Sequence, residues 1–101
     1  MTYRAVFHPL AVQDLEDIDE YLSQFSDNTA PKFFKAFTQK LSSLSDNPRI
    51  FAVWNDNPAY RRFVLGNYLA FYQILDDSRT VTICRVIDSR RDVKPSDISP
   101  F

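Results

Sequence analysis

A chain of 101 residues is one domain by length, taken here as residues 1–101, and its 45% hydrophobic and 25% charged residues belong to a folding rather than a disordered sequence. A single glycine excludes Gly-rich phosphate loops and dinucleotide fingerprints, while one cysteine, Cys84, and one histidine, His8, exclude an internal disulfide and a Cys/His zinc site; no metal and no cofactor is expected. The net charge of −1 argues neither for nor against nucleic acid, and no apolar run nears the roughly 18 residues of a membrane span.

Residues 2–7 alternate around Tyr3, Ala5 and Phe7, which predicts a short strand ended by His8-Pro9. Proline suits a first helical position, and Ala11, Leu15, Ile18, Leu22 and Phe25 then recur every three or four residues as the stripe of an amphipathic helix. Ser26-Asp27-Asn28 is a turn able to cap a second helix. That helix has the stripe Ala30, Phe34, Phe37, Leu41 and Leu44, with Pro31 in its first turn, and is stopped by Asp46-Asn47-Pro48. So short a connection makes an antiparallel helical hairpin. Residues 49–59 have little periodicity and read as a surface loop anchored by Phe51, Val53 and Trp54. Residues 60–65, 68–75 and 80–88 are rich in β-branched and aromatic side chains and form a meander joined by Gly66-Asn67 and by residues 76–79. The expected fold is α+β in the order β-α-α-β-β-β, with the helical hairpin packed on one face of a mainly antiparallel sheet.

Turn lengths then set the register. A two-residue turn at Gly66-Asn67 places Leu65 opposite Tyr68, Phe63 opposite Ala70 and Arg61 opposite Tyr72. A four-residue loop at residues 76–79 places Leu75 opposite Thr80, Tyr72 opposite Ile83 and Ala70 opposite Arg85. One face is expected to carry Val64, Leu69, Phe71, Leu75, Cys84 and Val86 towards the helices. The other carries Arg61, Phe63, Tyr68, Tyr72, Ile83, Arg85 and Ile87, and a slip of one residue exchanges Arg61 for Arg62. Two arginines beside two tyrosines suit RNA, because guanidinium forks bind phosphate and rings stack on unpaired bases. The alternative is that these arginines stack on the tyrosines and pair with Asp56, Asp88 or Asp92, completing a half-buried face with no ligand.

Charge is also segregated along the chain. Residues 10–27 hold Asp14, Glu16, Asp17, Asp19, Glu20 and Asp27 without a lysine or arginine, whereas residues 60–94 hold seven cations against four aspartates. Such polarity makes either a surface for a polyanion or acidic protein, or a solvated charged face. With no basic-then-apolar leader pattern, a cytoplasmic protein without membrane association is expected.

Residues 3–7 followed by Pro9-Leu10-Ala11 and Asp14-Leu15, Ile18 with Tyr21, and Leu44 with Pro48 form one half of a pattern. Arg61, Gly66-Asn67-Tyr68, Tyr72, Ile83, Arg85-Val86 and Arg90-Arg91-Asp92 form the other. In this order and spacing the chain resembles, over nearly its whole length, the RelE/ParE superfamily of type II toxin–antitoxin toxins. The resemblance implies the element order already read from periodicity. It also implies a cytoplasmic, growth-inhibiting toxin of the plasmid-stabilisation kind, silenced by a cognate antitoxin, as a homodimer or a toxin–antitoxin hetero-oligomer. RelE-like toxins cleave mRNA in the ribosomal A site, whereas ParE-like toxins are associated with poisoning of DNA gyrase.

Arg61 and Arg85 match the arginine positions of the nucleases and are the catalytic candidates in a RelE-like mode. Arg61, Tyr68, Tyr72, Arg85, Arg90 and Arg91 are the candidates for contact with RNA or a protein partner. Phosphodiester cleavage also needs an acid and a base around the phosphorus. Here Asp88 stands where many members carry histidine, and the tail ends at Phe101 without histidine or tyrosine. His8 reads as a capping or packing residue, Asp56 as a carboxylate able to act from the loop and Cys84 as a small core residue. The expectation is a ParE-like, non-enzymatic toxin; a RelE-like endoribonuclease and a degenerate, non-toxic antitoxin-binding module are the alternatives.

Overall fold

In the computed structural model, which describes residues 2–98, the chain runs β1 (Arg4–Phe7), α1 (Pro9–Leu22), α2 (Thr29–Asp46), β2 (Arg61–Leu65), β3 (Tyr68–Leu75), β4 (Thr80–Asp88) and a last helical turn, α3 (Pro95–Ile98). The strands form one sheet in the order β1-β4-β3-β2, in which β1 is parallel to β4 and the other neighbours are antiparallel. The helical hairpin lies on one face, as expected. No helix among the described residues is long and apolar enough to cross a membrane.

Local chemistry sets the boundaries. His8 is extended, and its Nδ1 accepts the Leu10 N–H at 3.1 Å, so it both ends β1 and caps α1 ahead of Pro9. The first helix stops after Leu22, which leaves Phe25, assigned by its spacing to the buried stripe, 62% exposed in the turn. In α2 the backbone N–H of Asn47 closes the last turn on the Ser43 carbonyl, and Pro48 cannot continue it.

The β2–β3 register follows the two-residue turn, with Arg61 opposite Tyr72, Phe63 opposite Ala70 and Leu65 opposite Tyr68. In β3–β4, Leu75 opposes Thr80 and Tyr72 opposes Ile83, but the next pair is Phe71 with Arg85, so Cys84 is an extra residue in a bulge. Ala70 therefore faces Val86 and not Arg85. The bulge begins where β1 runs out. The last β1 residue, Phe7, is level with Ile83, and beyond it the Asp14 carboxylate of α1 accepts the Val86 N–H at 3.0 Å in place of a strand.

The sheet faces are the reverse of those expected. Phe63, Leu65, Ala70, Tyr72, Val81, Ile83 and Val86 lie beneath the helices with Ala11, Ile18, Phe37 and Leu44, and Tyr68 packs against the same cluster. Val64 and Leu75, assigned to the helix side, are 60% and 43% exposed. Of the set expected to face the helices, Val86 does so, because the bulge shifts its parity. On the opposite face Trp54, Tyr60, Phe71, Cys84, Ile87 and Ile98 form a second cluster, flanked by Leu69 and Val93. The Trp54 ring meets Phe71 edge-on at 4.9 Å. The middle of the sheet is thus buried on both sides, by the helices on one and by the 52–60 loop and the C-terminal turn on the other.

Two turn residues occupy left-handed backbone conformations: Gly66 at φ 56° and Arg79 at φ 50°. Glycine enters this region without steric cost, whereas the Cβ of arginine is strained there. Arg79→Gly is expected to stabilise the fold by roughly 0.5–1 kcal/mol, and Gly66→Ala to destabilise it by about as much from backbone strain. The latter cost is purely conformational, since nothing lies within 4 Å of an added Cβ. Urea midpoints of the two variants moving in opposite directions would check both.

Candidate functional site

The arginine–tyrosine constellation does not assemble on one surface. Arg61 shares the helix-side face with its cross-strand neighbour Tyr72, and both are used to hold the segment after α2. Arg61 donates through Nη1 to the carbonyl oxygens of Phe51 at 2.8 Å and Arg49 at 3.4 Å. The Tyr72 hydroxyl, fully buried, donates to the Pro48 carbonyl at 2.8 Å, and burial pushes the phenol up to about 12. These side chains anchor the Pro48, Arg49 and Phe51 carbonyls of the loop, while the Ala52 carbonyl accepts the Arg62 N–H of β2 at 3.2 Å.

Arg85 lies on the opposite face. Its cross-strand neighbour is Phe71, a member of the second cluster. The guanidinium forks onto Asp14, with Nε to Oδ2 at 2.7 Å and Nη2 to Oδ1 at 3.0 Å, and Nη1 donates to the Asp97 carbonyl at 2.9 Å. Both charged side chains are largely buried, at 17% and 14% exposure. The Asp14 carboxylate, by hydrogen bond and charge together, holds the Arg85 guanidinium even more firmly in its charged form than usual. One node therefore ties α1, the β4 bulge and the C-terminal turn.

Tyr68 and Arg90 do come together, beside the C-terminal half of α1. With Asp17, Ile18, Tyr21 and Asp88 they line a shallow cleft of about 350 Å³. Arg90 forks onto Asp88 at 2.6 and 3.0 Å and holds that carboxyl down at about 2, while Arg90 itself stays 74% exposed. Burial first, and then the Asp88 charge, raises the Tyr68 phenol. Arg91, half exposed, reaches the Asp97 carboxylate at 3.7 Å.

The remaining chemical candidates are structural in their contacts. His8 caps α1 through Nδ1. Cys84 is buried in the second cluster, on the face away from the helices, and burial raises its thiol to about 11. Phe101 lies outside the described residues. Each carboxylate, phenol or thiol with a resolved shift moves away from neutrality: Asp76 and Asp88 downward, Tyr68, Tyr72 and Cys84 upward. Sequence reasoning missed Asp14, treated there as one of several solvated acids, and the contribution of Asp97 and Ile98. Its one usable signal was Asp14 lying one position from the apolar stripe residue Leu15.

This arrangement of sheet and hairpin has known counterparts. The family described as the ParE toxin of the type II toxin–antitoxin system parDE matches residues 5–93. The chain belongs to this ParE toxin family. It is the toxin component of a type II toxin–antitoxin system. No curated protein matches the sequence. Among solved structures, the RelBE2 toxin–antitoxin complex of Mycobacterium tuberculosis is similar at 23% identity and a TM-score of 0.64, covering 87% of this chain and 99% of that one. The isolated Escherichia coli RelE toxin matches at 19% identity and a TM-score of 0.64, covering 89% and 87%. The RelE–RelB complex of Pyrococcus horikoshii OT3 matches at 18% identity and a TM-score of 0.62, covering 90% and 99%. At these identities the ParE-family chain shares the RelE fold, and its residues decide the chemistry.

Proposed function

We propose that this ParE-family toxin arrests growth without cutting RNA, by acting on DNA gyrase, and that a cognate antitoxin neutralises it. The observation that supports a non-nuclease mode is the engagement of Arg85 by Asp14 on one face while Arg61 is engaged by loop carbonyls on the other. A phosphodiester-cleaving site needs cations aimed at one phosphate, with an acid and a base on either side of it. Asp88 at about 2 is no proton donor near neutral pH, and Tyr72 at about 12 is buried beneath its loop. A protein-binding inhibitor requires neither group. For such contact the exposed cations include Arg90, which shares a cleft with Tyr68, and Arg91.

Purified toxin added at micromolar concentration to gyrase should block supercoiling of relaxed plasmid. Primer extension on translating ribosomes exposed to the same preparation should give no discrete mRNA cuts. Cuts without gyrase inhibition would establish the RelE-like mode instead, and normal growth on induction of soluble chain would leave an antitoxin-binding module without toxicity.

A further inference from the structure

Where the helical hairpin meets the β2–β3 turn, one continuous surface carries a protruding ring, an open hollow and charge of both signs. Phe25 stands on the apolar stripe of α1 by its spacing, yet it is 62% exposed in the turn that follows, with Tyr21, 48% exposed, edge-on against it at 5.1 Å. Beside them lies a hollow of about 320 Å³ lined by Leu22, Phe33, Ala36, Leu65 and Tyr68, with Lys32 as its charged member. The Phe25 N–H donates to the Leu22 carbonyl at 3.2 Å, so the ring adjoins the hollow, but it does not line it. Tyr68 also lines the cleft that holds Asp17 and Arg90, which makes hollow and cleft continuous. In that cleft Arg90 uses Nε and Nη2 on Asp88, and its Nη1 has no hydrogen-bond partner among the described residues. Asp17 accepts from the Gln13 amide at 2.9 Å and has no ion-pair partner among the described residues.

A knob and a hollow, a carboxylate and a half-used guanidinium are complements of one another, and within one chain they do not meet. They meet when the surface faces its own copy across a two-fold axis, where each residue touches the counterpart of the residue that touches it. We propose that this surface is the interface of a homodimer, in which Phe25 of each chain enters the hollow of the other and Arg90 of each meets Asp17 of the other. A polyanion is repelled by Asp17 and Asp88, and an uncharged apolar partner strips water from Asp17 and Arg90 without supplying a counter-charge. At their exposures the four rings of a dimer bring on the order of 400 Å², against roughly 1,200 Å² or more for a stable interface, so the dimer is a weak one that forms as concentration rises. It needs nothing from the toxin reading. It does occupy Arg90 and Tyr68, so a target protein reaching those residues meets the monomer.

The test uses the full chain and variants whose circular dichroism matches it. Sedimentation equilibrium from about 5 to 500 µM should show the mass rising from the 11.8 kDa of one chain towards twice that, and less so as salt is raised. Phe25→Asp, at a position already exposed in the free chain, should weaken association by about tenfold or more. Asp17→Arg and Arg90→Asp, each alone, set like charges against each other at both ends of the interface, and each should stay monomeric where the unaltered chain is half dimeric. Mixed in equal amounts, these two variants bring opposite charges together at both ends, and they should associate as heterodimers with a dissociation constant within about threefold of the original. A chain that stays monomeric at about 500 µM overturns the proposal. So do a dimer indifferent to Phe25→Asp, a mixture of the charge variants that fails to associate, and a mass that climbs past two chains as in open head-to-tail assembly.

Discussion

Replacing Asp14 by alanine is expected to lower the unfolding free energy by about 3–5 kcal/mol, the range for removing one partner of a buried ion pair. The cost is large because three donors lose their acceptor at once: Arg85 Nε, Arg85 Nη2 and the Val86 N–H. The Arg85 charge would then stay largely buried with the Asp97 carbonyl as its remaining acceptor. Asp14→Asn should cost less, since the amide oxygen can still receive the Val86 N–H. Arg85→Ala should fall in the same range, and the double variant should be less destabilised than the two single losses added together. Urea unfolding followed by circular dichroism measures all four. A loss under about 1 kcal/mol in Asp14→Ala would show that the bulge is held by something else. It follows that reduced toxicity in Arg85→Ala cannot by itself assign Arg85 to the target, because the same change loosens the contact between α1 and β4. Arg90→Ala is the cleaner functional probe, as that side chain is 74% exposed and contacts the residue two positions before it.

The elements were legible because each is specified locally. Apolar spacing drew both helices, Pro9 and Pro48 bounded them, and the only glycine fixed the β2–β3 register. The bulge was not legible, since the carboxylate beside it comes from a residue 71 positions away. The inverted faces carried a signal that the apolar residues obscured. Gln73 and Thr82 are paired and share parity with Leu75 and with Phe71 or Cys84, and two polar residues on one side mark it as the side away from the helices. Phe71 and Cys84 pointed the other way because they are buried too, beneath Trp54 and Ile98. A four-residue helix at the end of the chain has too short a pattern to announce itself, so the cover over that face was invisible to periodicity. The candidate site suffered most from this. Register alone brought Arg61 and Tyr72 together correctly, and the same arithmetic carried past the bulge placed Arg85 beside them in error.

Ile98→Ala is expected to destabilise the fold by about 2–5 kcal/mol if the C-terminal turn stays docked, and by no more than the cost of undocking if it does not. Ile98 is 1% exposed in the cluster with Trp54, Phe71, Cys84 and Ile87, so its side chain fills space shared with the protein's single tryptophan. Backbone contacts depend on its position as well. The Asp97 carbonyl accepts from Arg85 Nη1, and the Asp97 carboxylate accepts the Lys94 N–H and meets Arg91. Losing the isoleucine therefore weakens one branch of the Arg85 node while opening the surface over Phe71. Emission of Trp54, 3% exposed in the native fold, should shift to the red in Ile98→Ala and further in Ile98→Asp, before the urea transition begins. A baseline shift with an unchanged midpoint would mean local undocking, and a lowered midpoint with native emission would mean a cavity beneath a docked turn. Native emission and an unaltered midpoint together would show that the turn adds nothing to the burial of this face.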